Sequence, residues 1–384
     1  MNPFPTLIPY NVPTLSGDEL QYVTACLKNR KFSGDGPFTA ECSRLLKHLT
    51  ACPNVLMTTS CTDALEMAAL LLDIAPGDEV ISPSFTFVSA ANAFALRGAK
   101  IVFVDIDPKT MNVNSSNIEK AITPRTKAIS IVHYAGVSCD MDAIQNISKK
   151  YKIPIVEDAA QGLMSFFKGQ HVGTIGSLGC LSFHETKNYN CGEGGALLIN
   201  DPTLVKRAEI IREKGTNRSQ HARGEVSKYN WISLGSSFLM SDVNAAFLCA
   251  QLNRADEINQ KRLVIWNSYF ESFQSLKNDG LVDIPYIPDY AKHNGHIFYL
   301  KLRNENQRNN FIDFMKQMNI LTVFHYVPLH SAPAGLIYAR FHGEDRHTSS
   351  ESSRLVRLPI FHSMSTEQLQ FVINCVINFF RNSL

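Results

Sequence analysis

Residues 128–158, AISIVHYAGVSCDMDAIQNISKKYKIPIVED, decide the fold. AISIVHY is a short apolar run, MDAIQNISKKYK spaces its apolar residues three and four apart, and IPIVED is a second apolar run ending in Glu157 and Asp158. A strand buried on both faces reads as an unbroken apolar run because helices cover both sides of its sheet, whereas a helix shows a 3.6-residue period. The stretch is therefore strand, helix, strand within a doubly covered α/β layer.

The same rhythm runs outward. Upstream lie VLMTT from Val55, SCTDALEMAALLL from Ser60, EVISPS from Glu79, TFVSAANAFAL from Thr86 and IVFVD from Ile101; downstream, GCLSF and GALLIN continue the strands. Ser16-Gly-Asp-Glu19 reads as a capping box that starts a helix running to Leu27. Residues 202–214 read as a helix and 215–231 as a polar, glycine-containing loop of a length that usually has a task. From Ser241 one helical pattern extends past Ile265, long enough to bridge to a second unit. The remainder, HIFYLKL, NNFIDFMKQM, LTVFHYV and TEQLQFVINCVINFF, predicts strand, helix, strand, helix. The expected division is a large α/β unit with a mostly parallel sheet at residues 1–250 and a small α+β unit at 251–384.

Composition narrows the function. The 384 residues, 45% hydrophobic, suffice for a large core, and 37 basic against 35 acidic residues leave a net charge of +2 with no basic block for nucleic acid. The start MNPFPTLIPYNVP shows no basic segment followed by an apolar run, and no window offers about 18 uninterrupted apolar residues, so a cytoplasmic protein without membrane insertion is expected. Nine cysteines, an odd set without a C-x-x-C pair, predict reduced and mostly buried thiols. No metal site is expected: Cys139, Asp140 and Asp142 crowd together but precede a helical pattern, as capping residues do.

Three segments carry chemistry. Ser60-Cys61-Thr62-Asp63 stands between a strand and a helix, where free amides, the positive dipole end and the Ser60 and Thr62 hydroxyls suit a phosphate; a plain helix cap is the alternative. Glu157 and Asp158 end a strand at the edge where open α/β sheets bind ligands, and adjacent strand residues face opposite sides, so one carboxylate should face the crevice and could pair with a protonated heterocyclic nitrogen. The alternative is that both cap a following helix, AAQGLM. Lys187, just past GCLSF and flanked by His184, Tyr189 and the glycines of CGEGGA, fits a partly desolvated amine able to form an imine; lysines at strand ends are otherwise solvated. Phosphate cradle, carboxylate and lysine, in that order and each at a strand end, are the three anchors that pyridoxal phosphate needs. A nicotinamide enzyme would require G-x-G-x-x-G after its first strand and a P-loop enzyme G-x-x-x-x-G-K-[ST], and neither occurs.

With FSGDGPF, TTSCTDALEMA, PSFTFVSAANA, FVDIDP, VEDAAQG, SFHETKN, GEGGA, MSDVNAA and FHYVPLH in order over nearly the whole length, the chain resembles the DegT/DnrJ/StrS family of sugar aminotransferases. The resemblance implies the large-domain fold of aspartate aminotransferase (PLP fold type I), a homodimer with shared active sites, and pyridoxal 5'-phosphate as cofactor. It assigns Lys187 as the Schiff-base and proton-shuttling lysine, Asp158 as partner of the pyridine nitrogen, Gln161 as neighbour of the phenolic oxygen and Phe87 as the ring over the cofactor face. Ser60, Cys61, Thr62 and Ser182 would hold the phosphate; His184, Arg218 and His325 would lie near the substrate.

The stretches TTSCTDALEMA, FHETKN and EKGTNRSQ further imply transfer from L-glutamate to dTDP-4-keto-6-deoxyglucose, giving dTDP-4-amino-4,6-dideoxygalactose for surface polysaccharide of the enterobacterial common antigen kind. Another keto-sugar nucleotide, or a non-catalytic sugar-nucleotide binder on the same fold, is the alternative. The chain departs from the family pattern at Gly235-Ser236-Ser237, where many members carry G-x-N with the asparagine reaching the partner's phosphate, and at Cys61, where glycine is frequent.

Overall fold

The computed structural model describes residues 7–381. The MNPFPT start lies outside the described residues. An eight-stranded sheet forms the centre, its strands in the spatial order Val55–Thr58, Gly195–Ile199, Leu178–Ser182, Ile155–Asp158, Thr126–Val132, Glu79–Pro83, Lys100–Val104 and Ala339–Phe341. Gly195–Ile199 runs antiparallel to both neighbours and every other pairing is parallel, so the sheet is mostly parallel, as the apolar runs predict. Its two faces are packed by separate apolar clusters, one centred on the helix Cys61–Leu71 and the other on the helix Met141–Tyr151. The sheet's edge strand, Ala339–Phe341, comes from late in the chain.

A second sheet, ordered Tyr299–Lys301, Leu355–Arg357, Val323–Phe324, packs with the helices Glu305–Gln317 and Thr366–Arg381 around Phe298, Phe311, Val356 and Val376. Its middle strand, Leu355–Arg357, is absent from the sequence reading, because three residues, the last an arginine, are too few to show a period. The helix Pro37–Thr50 is likewise an addition.

Other elements differ in detail. The long pattern after Ser241 is two helices, Asp242–Leu252 and Ala255–Ser272, because Asn253 turns its side-chain amide onto the Cys249 carbonyl at 2.9 Å and ends the first. Residues 202–214 split into a 3-10 turn, Pro202–Leu204, and the helix Val205–Arg212, while the polar loop contains a short helix, Arg218–Ala222. At the capping box, the Glu19 carboxylate takes the amides of Ser16 and Gly17 at 2.5 and 2.9 Å, but the helix opens at Glu19 itself. Asp140 does cap its helix, accepting the Ala143 amide at 3.3 Å, and all nine cysteines are free and buried.

Candidate active site

The C-terminal ends of Thr126–Val132, Ile155–Asp158 and Leu178–Ser182 open on a cavity of about 310 Å³, where an open α/β sheet places its ligands. Of the site residues singled out in the sequence, all but Arg218 line it.

One wall is the start of the helix Cys61–Leu71. Ser60 is its N-cap, and its hydroxyl accepts the Asp63 amide at 3.0 Å, which leaves the hydroxyl proton free to donate into the cavity. The amides of Cys61 and Thr62 have no partner in the helix, since the first turn of any α-helix lacks acceptors for them. The residues that the sequence reads as a phosphate cradle are thus also those that cap the helix. The Thr62 hydroxyl pairs with that of Ser89 at 2.8 Å, and Gly195 packs beneath, where a Cβ would stand 2.3 Å from the Ser60 carbonyl carbon. Cys61 lies in the helix without a positive φ, so the thiol in place of the frequent glycine brings no backbone strain.

Glu157 and Asp158 part as strand alternation requires. Glu157 points inward, where its carboxylate takes the amides of Gly173, Ile175 and Gly176 at 2.7, 2.7 and 2.5 Å and meets His133 Nε2 at 2.9 Å. Burial alone would raise its pKa, yet the His133 hydrogen bond and these amides outweigh burial and lower it. Asp158 faces the cavity. It accepts the Ala160 amide at 3.0 Å, forms no ion pair among the described residues, and is pushed above the usual carboxylate range by burial. Residues 159–164 form turns, not a helix, so helix capping does not explain the pair.

Lys187 approaches from a turn in which its amide donates to the His184 carbonyl at 2.9 Å. Its ammonium has no hydrogen bond or ion pair among the described residues, and burial lowers its pKa against the opposing influence of Cys61 and Asp158. His184 Nδ1 lies 2.9 Å from the Thr186 hydroxyl, and its Nε2 stands 3.6 Å from Glu193. The amide of His184 donates to the Ser182 hydroxyl at 3.4 Å.

Above these, Phe87 is 57% exposed, an aromatic face left bare inside a cavity, with its centroid 6.5 Å from that of Tyr326. Gln161 spans the cavity wall from the Ala135 amide to the Tyr326 hydroxyl. His325 Nδ1 lies 3.1 Å from the Tyr134 hydroxyl, and burial holds this imidazole well below its ordinary pKa, so it stands neutral.

Arg218 points elsewhere, pairing with Glu213 at 2.9 Å on the polar loop. Ser237 is exposed and bridges to Glu213, away from the cavity of its own chain. Among the lining residues that the sequence reading does not single out are Tyr10, His296, Tyr326 and Arg357. Only Tyr326 carried a signal there, standing within FHYVPLH beside His325.

Free amides at a helix start, a buried carboxylate without a cation, an unpaired amine and a bare aromatic face fit pyridoxal phosphate: a phosphate, a protonated ring nitrogen, an aldehyde carbon and a flat ring would each find a partner.

Comparison with known proteins agrees. A model of the DegT/DnrJ/EryC1/StrS aminotransferase family matches residues 13–377. The spore coat polysaccharide biosynthesis protein SpsC of Bacillus subtilis is 32% identical over 381 residues, 96% of this chain and 96% of its own. An aminotransferase from Streptoalloteichus hindustanus superposes with a TM-score of 0.89 at 28% identity, covering 98% of this chain and 100% of that one. The PLP form of the Streptococcus pneumoniae protein Spr1654 does so with a TM-score of 0.88 at 26% identity, covering 98% and 100%. The chain belongs to the DegT/DnrJ/EryC1/StrS aminotransferase family and is a pyridoxal-phosphate-dependent transaminase of fold type I.

Proposed function

We propose that this transaminase moves the amino group of L-glutamate to a nucleotide-linked 4-keto-6-deoxy sugar, converting dTDP-4-keto-6-deoxy-D-glucose to dTDP-4-amino-4,6-dideoxy-D-galactose for surface polysaccharide. The observation that carries this reading is the unpaired, pKa-lowered amine of Lys187 in one cavity with Asp158 and the helix start at Cys61. The role of the Bacillus subtilis relative in spore coat polysaccharide biosynthesis supports the sugar class.

In this reading Ser60, Cys61, Thr62 and Ser182 hold the cofactor's phosphate, Asp158 keeps its ring nitrogen protonated, Gln161 meets its phenolic oxygen and Phe87 covers its face. Bound there, pyridoxal phosphate supplies an electron sink for the carbon that loses or gains a proton. Lys187 Nζ holds the cofactor, takes the α-proton of the donor and delivers a proton to carbon four of the sugar. A lowered pKa suits it to both tasks, since the amine must be neutral to accept. His184 and His325 orient the sugar, whereas Arg218 pairs with Glu213 and takes no part in the cavity of its own chain.

The protein works in the cytoplasm as a homodimer, in which the exposed Tyr229, Trp231, Ile232 and Leu234 offer an apolar contact surface. No described helix is long and apolar enough to cross a membrane. The reading also takes residues 1–250 and 251–384 as two units, supported by an apolar cluster drawn, apart from Ile8 and Val12, from residues after 250.

Absorption spectra of the purified protein test the reading. L-glutamate should bleach the yellow band, dTDP-4-keto-6-deoxyglucose should restore it, and Lys187→Ala should abolish turnover. A protein that stays colourless with added pyridoxal phosphate would sink the site assignment. A band bleached by glutamate and restored only by a different keto-sugar nucleotide would replace the acceptor.

A further inference from the structure

Residues 294–296 stitch the Lys187 turn to the turn after Asp158. The Asn294 side-chain amide donates to the carbonyls of Gln161 and Leu163, each at 2.8 Å, and its oxygen accepts the His296 amide at 3.1 Å. Asn188, the residue after Lys187, donates its side-chain N–H to the Asn294 carbonyl at 3.1 Å, and its Oδ1 meets His296 Nδ1 at 2.8 Å. Arg262 holds the same segment from behind, giving its N–H groups to the carbonyls of Gly295 and His296 at 3.3 and 2.8 Å.

This network decides the protonation of His296. The Asn188 amide nitrogen is committed to a carbonyl, so Oδ1 is the atom that faces the imidazole, and an oxygen there only accepts. Nδ1 therefore carries the proton. Burial, then the charges of Lys187, Arg262 and Arg357 in that order, hold the imidazole well below its ordinary pKa, so it stays neutral and Nε2 keeps a bare lone pair. His296 lines the cavity of Lys187, and Nε2, on the ring edge away from Asn188, is open to that cavity and has no partner among the described residues. The side-chain oxygen and nitrogen of Asn188 and of Asn294 are all bonded, so the network ends in one unanswered acceptor whose direction is fixed.

Two donors on the same wall lack partners, the Lys187 ammonium and Arg357 Nε. Arg357 is fixed on a strand paired from both sides and lies against the Tyr10 ring, so an acceptor it does not touch is one it does not reach. Lys187 rises from a turn on a four-carbon stem free to swing, and its charge acts on the ring more strongly than that of either arginine.

We propose that His296 is a positioning residue whose Nε2 accepts a hydrogen bond from the Lys187 amine whenever that amine is not joined to the cofactor. The inference rests on the proposed role of Lys187 and on no choice of amino donor or sugar. With one N–H held by the imidazole, the nitrogen lone pair is left facing the open cavity, where it takes a substrate proton. The same hydrogen bond favours the charged amine and so partly offsets the burial that lowers its pKa.

The two ring nitrogens are separable by amides. The nitrogen of an asparagine amide falls where Nδ1 stands, and the amide end of a glutamine falls where Nε2 stands. His296→Asn keeps the bond to Asn188 and deletes the cavity acceptor; His296→Gln does the reverse. The full chain without cofactor is mixed with pyridoxal phosphate across a range of pH, and the rate at which the yellow band appears follows the neutral fraction of Lys187. Cys61, Asp158 and Arg357, which also act on the Lys187 charge, are untouched by either substitution. His296→Asn should lower the pKa of this profile by about one unit, and so raise the rate below it about tenfold. His296→Gln should keep the wild-type profile. A shift in His296→Gln as large as that in His296→Asn or larger, or no shift in either, would overturn the proposal. Lys187→Met is the control: a yellow band that still forms there removes the assignment of Lys187 and this inference with it, whereas its loss leaves the two His296 substitutions to decide the inference alone.

Discussion

Gln161 and Tyr326 are joined across the cavity: the amide Nε2 of Gln161 donates to the Tyr326 hydroxyl at 3.2 Å, while its Oε1 accepts the Ala135 amide at 2.6 Å. One side chain thus ties the turn after the Asp158 strand to two other segments. Gln161→Ala leaves the buried Ala135 amide unsatisfied and should cost about 1–3 kcal/mol in urea unfolding. Tyr326→Phe removes only the weaker end and should cost less; equal losses would show that the Ala135 contact contributes nothing.

Asp158→Asn keeps the size of the side chain and its contact with the Ala160 amide while removing the charge. A carboxylate beside a protonated ring nitrogen shifts the pKa by about 1–3 units, which is a coupling of roughly 10–1,000-fold. Affinity for pyridoxal phosphate, followed by fluorescence titration of apo protein, should fall within that range. Binding at wild-type strength would place the ring nitrogen away from Asp158.

Burial lowers the Lys187 amine below the 10.5 of an exposed lysine. Between the depressed value and 10.5 the unfolded chain binds more protons here than the folded one, so this residue's contribution to stability rises with pH through that window and falls as pH drops. Urea melts of apo wild type and Lys187→Met should therefore show a wild-type deficit that shrinks as the pH climbs. A constant difference would mean that the amine titrates like an exposed one.

Gly195→Ala would set a Cβ 2.3 Å from the Ser60 carbonyl carbon, and backbone cannot step aside as a flexible side chain can. Overpacking of this kind costs about 1–3 kcal/mol. Because the displaced atoms begin the turn proposed to hold the phosphate, inorganic phosphate should also protect the variant less than wild type in thermal melts. Equal protection would separate Gly195 from the anion site.

The α/β layer, the order of its strands along the chain, and the cradle, carboxylate and lysine were legible because each is written locally, as an apolar period or as a short motif at a strand end. The alternation of Glu157 and Asp158 required opposite faces, but the inward turn of Glu157 depends on the amides of Gly173, Ile175 and Gly176. Arg218 was placed near substrate from its loop, and within its own chain it pairs instead with Glu213. The break at Asn253 was hidden because apolar spacing continues through it.

By itself, then, the sequence determined the class of fold and the family, and it named three candidate cofactor anchors that line one cavity, since neighbouring residues are enough to specify a strand end or a helix start. Only the tertiary structure decided that Tyr10 and Arg357, from opposite ends of the chain, share a wall with Lys187. No local pattern encodes that meeting. It follows from long-range pairing, of Ile8 with Ile320 and of Leu355–Arg357 between two strands, and each of those contacts depends on the whole chain having folded.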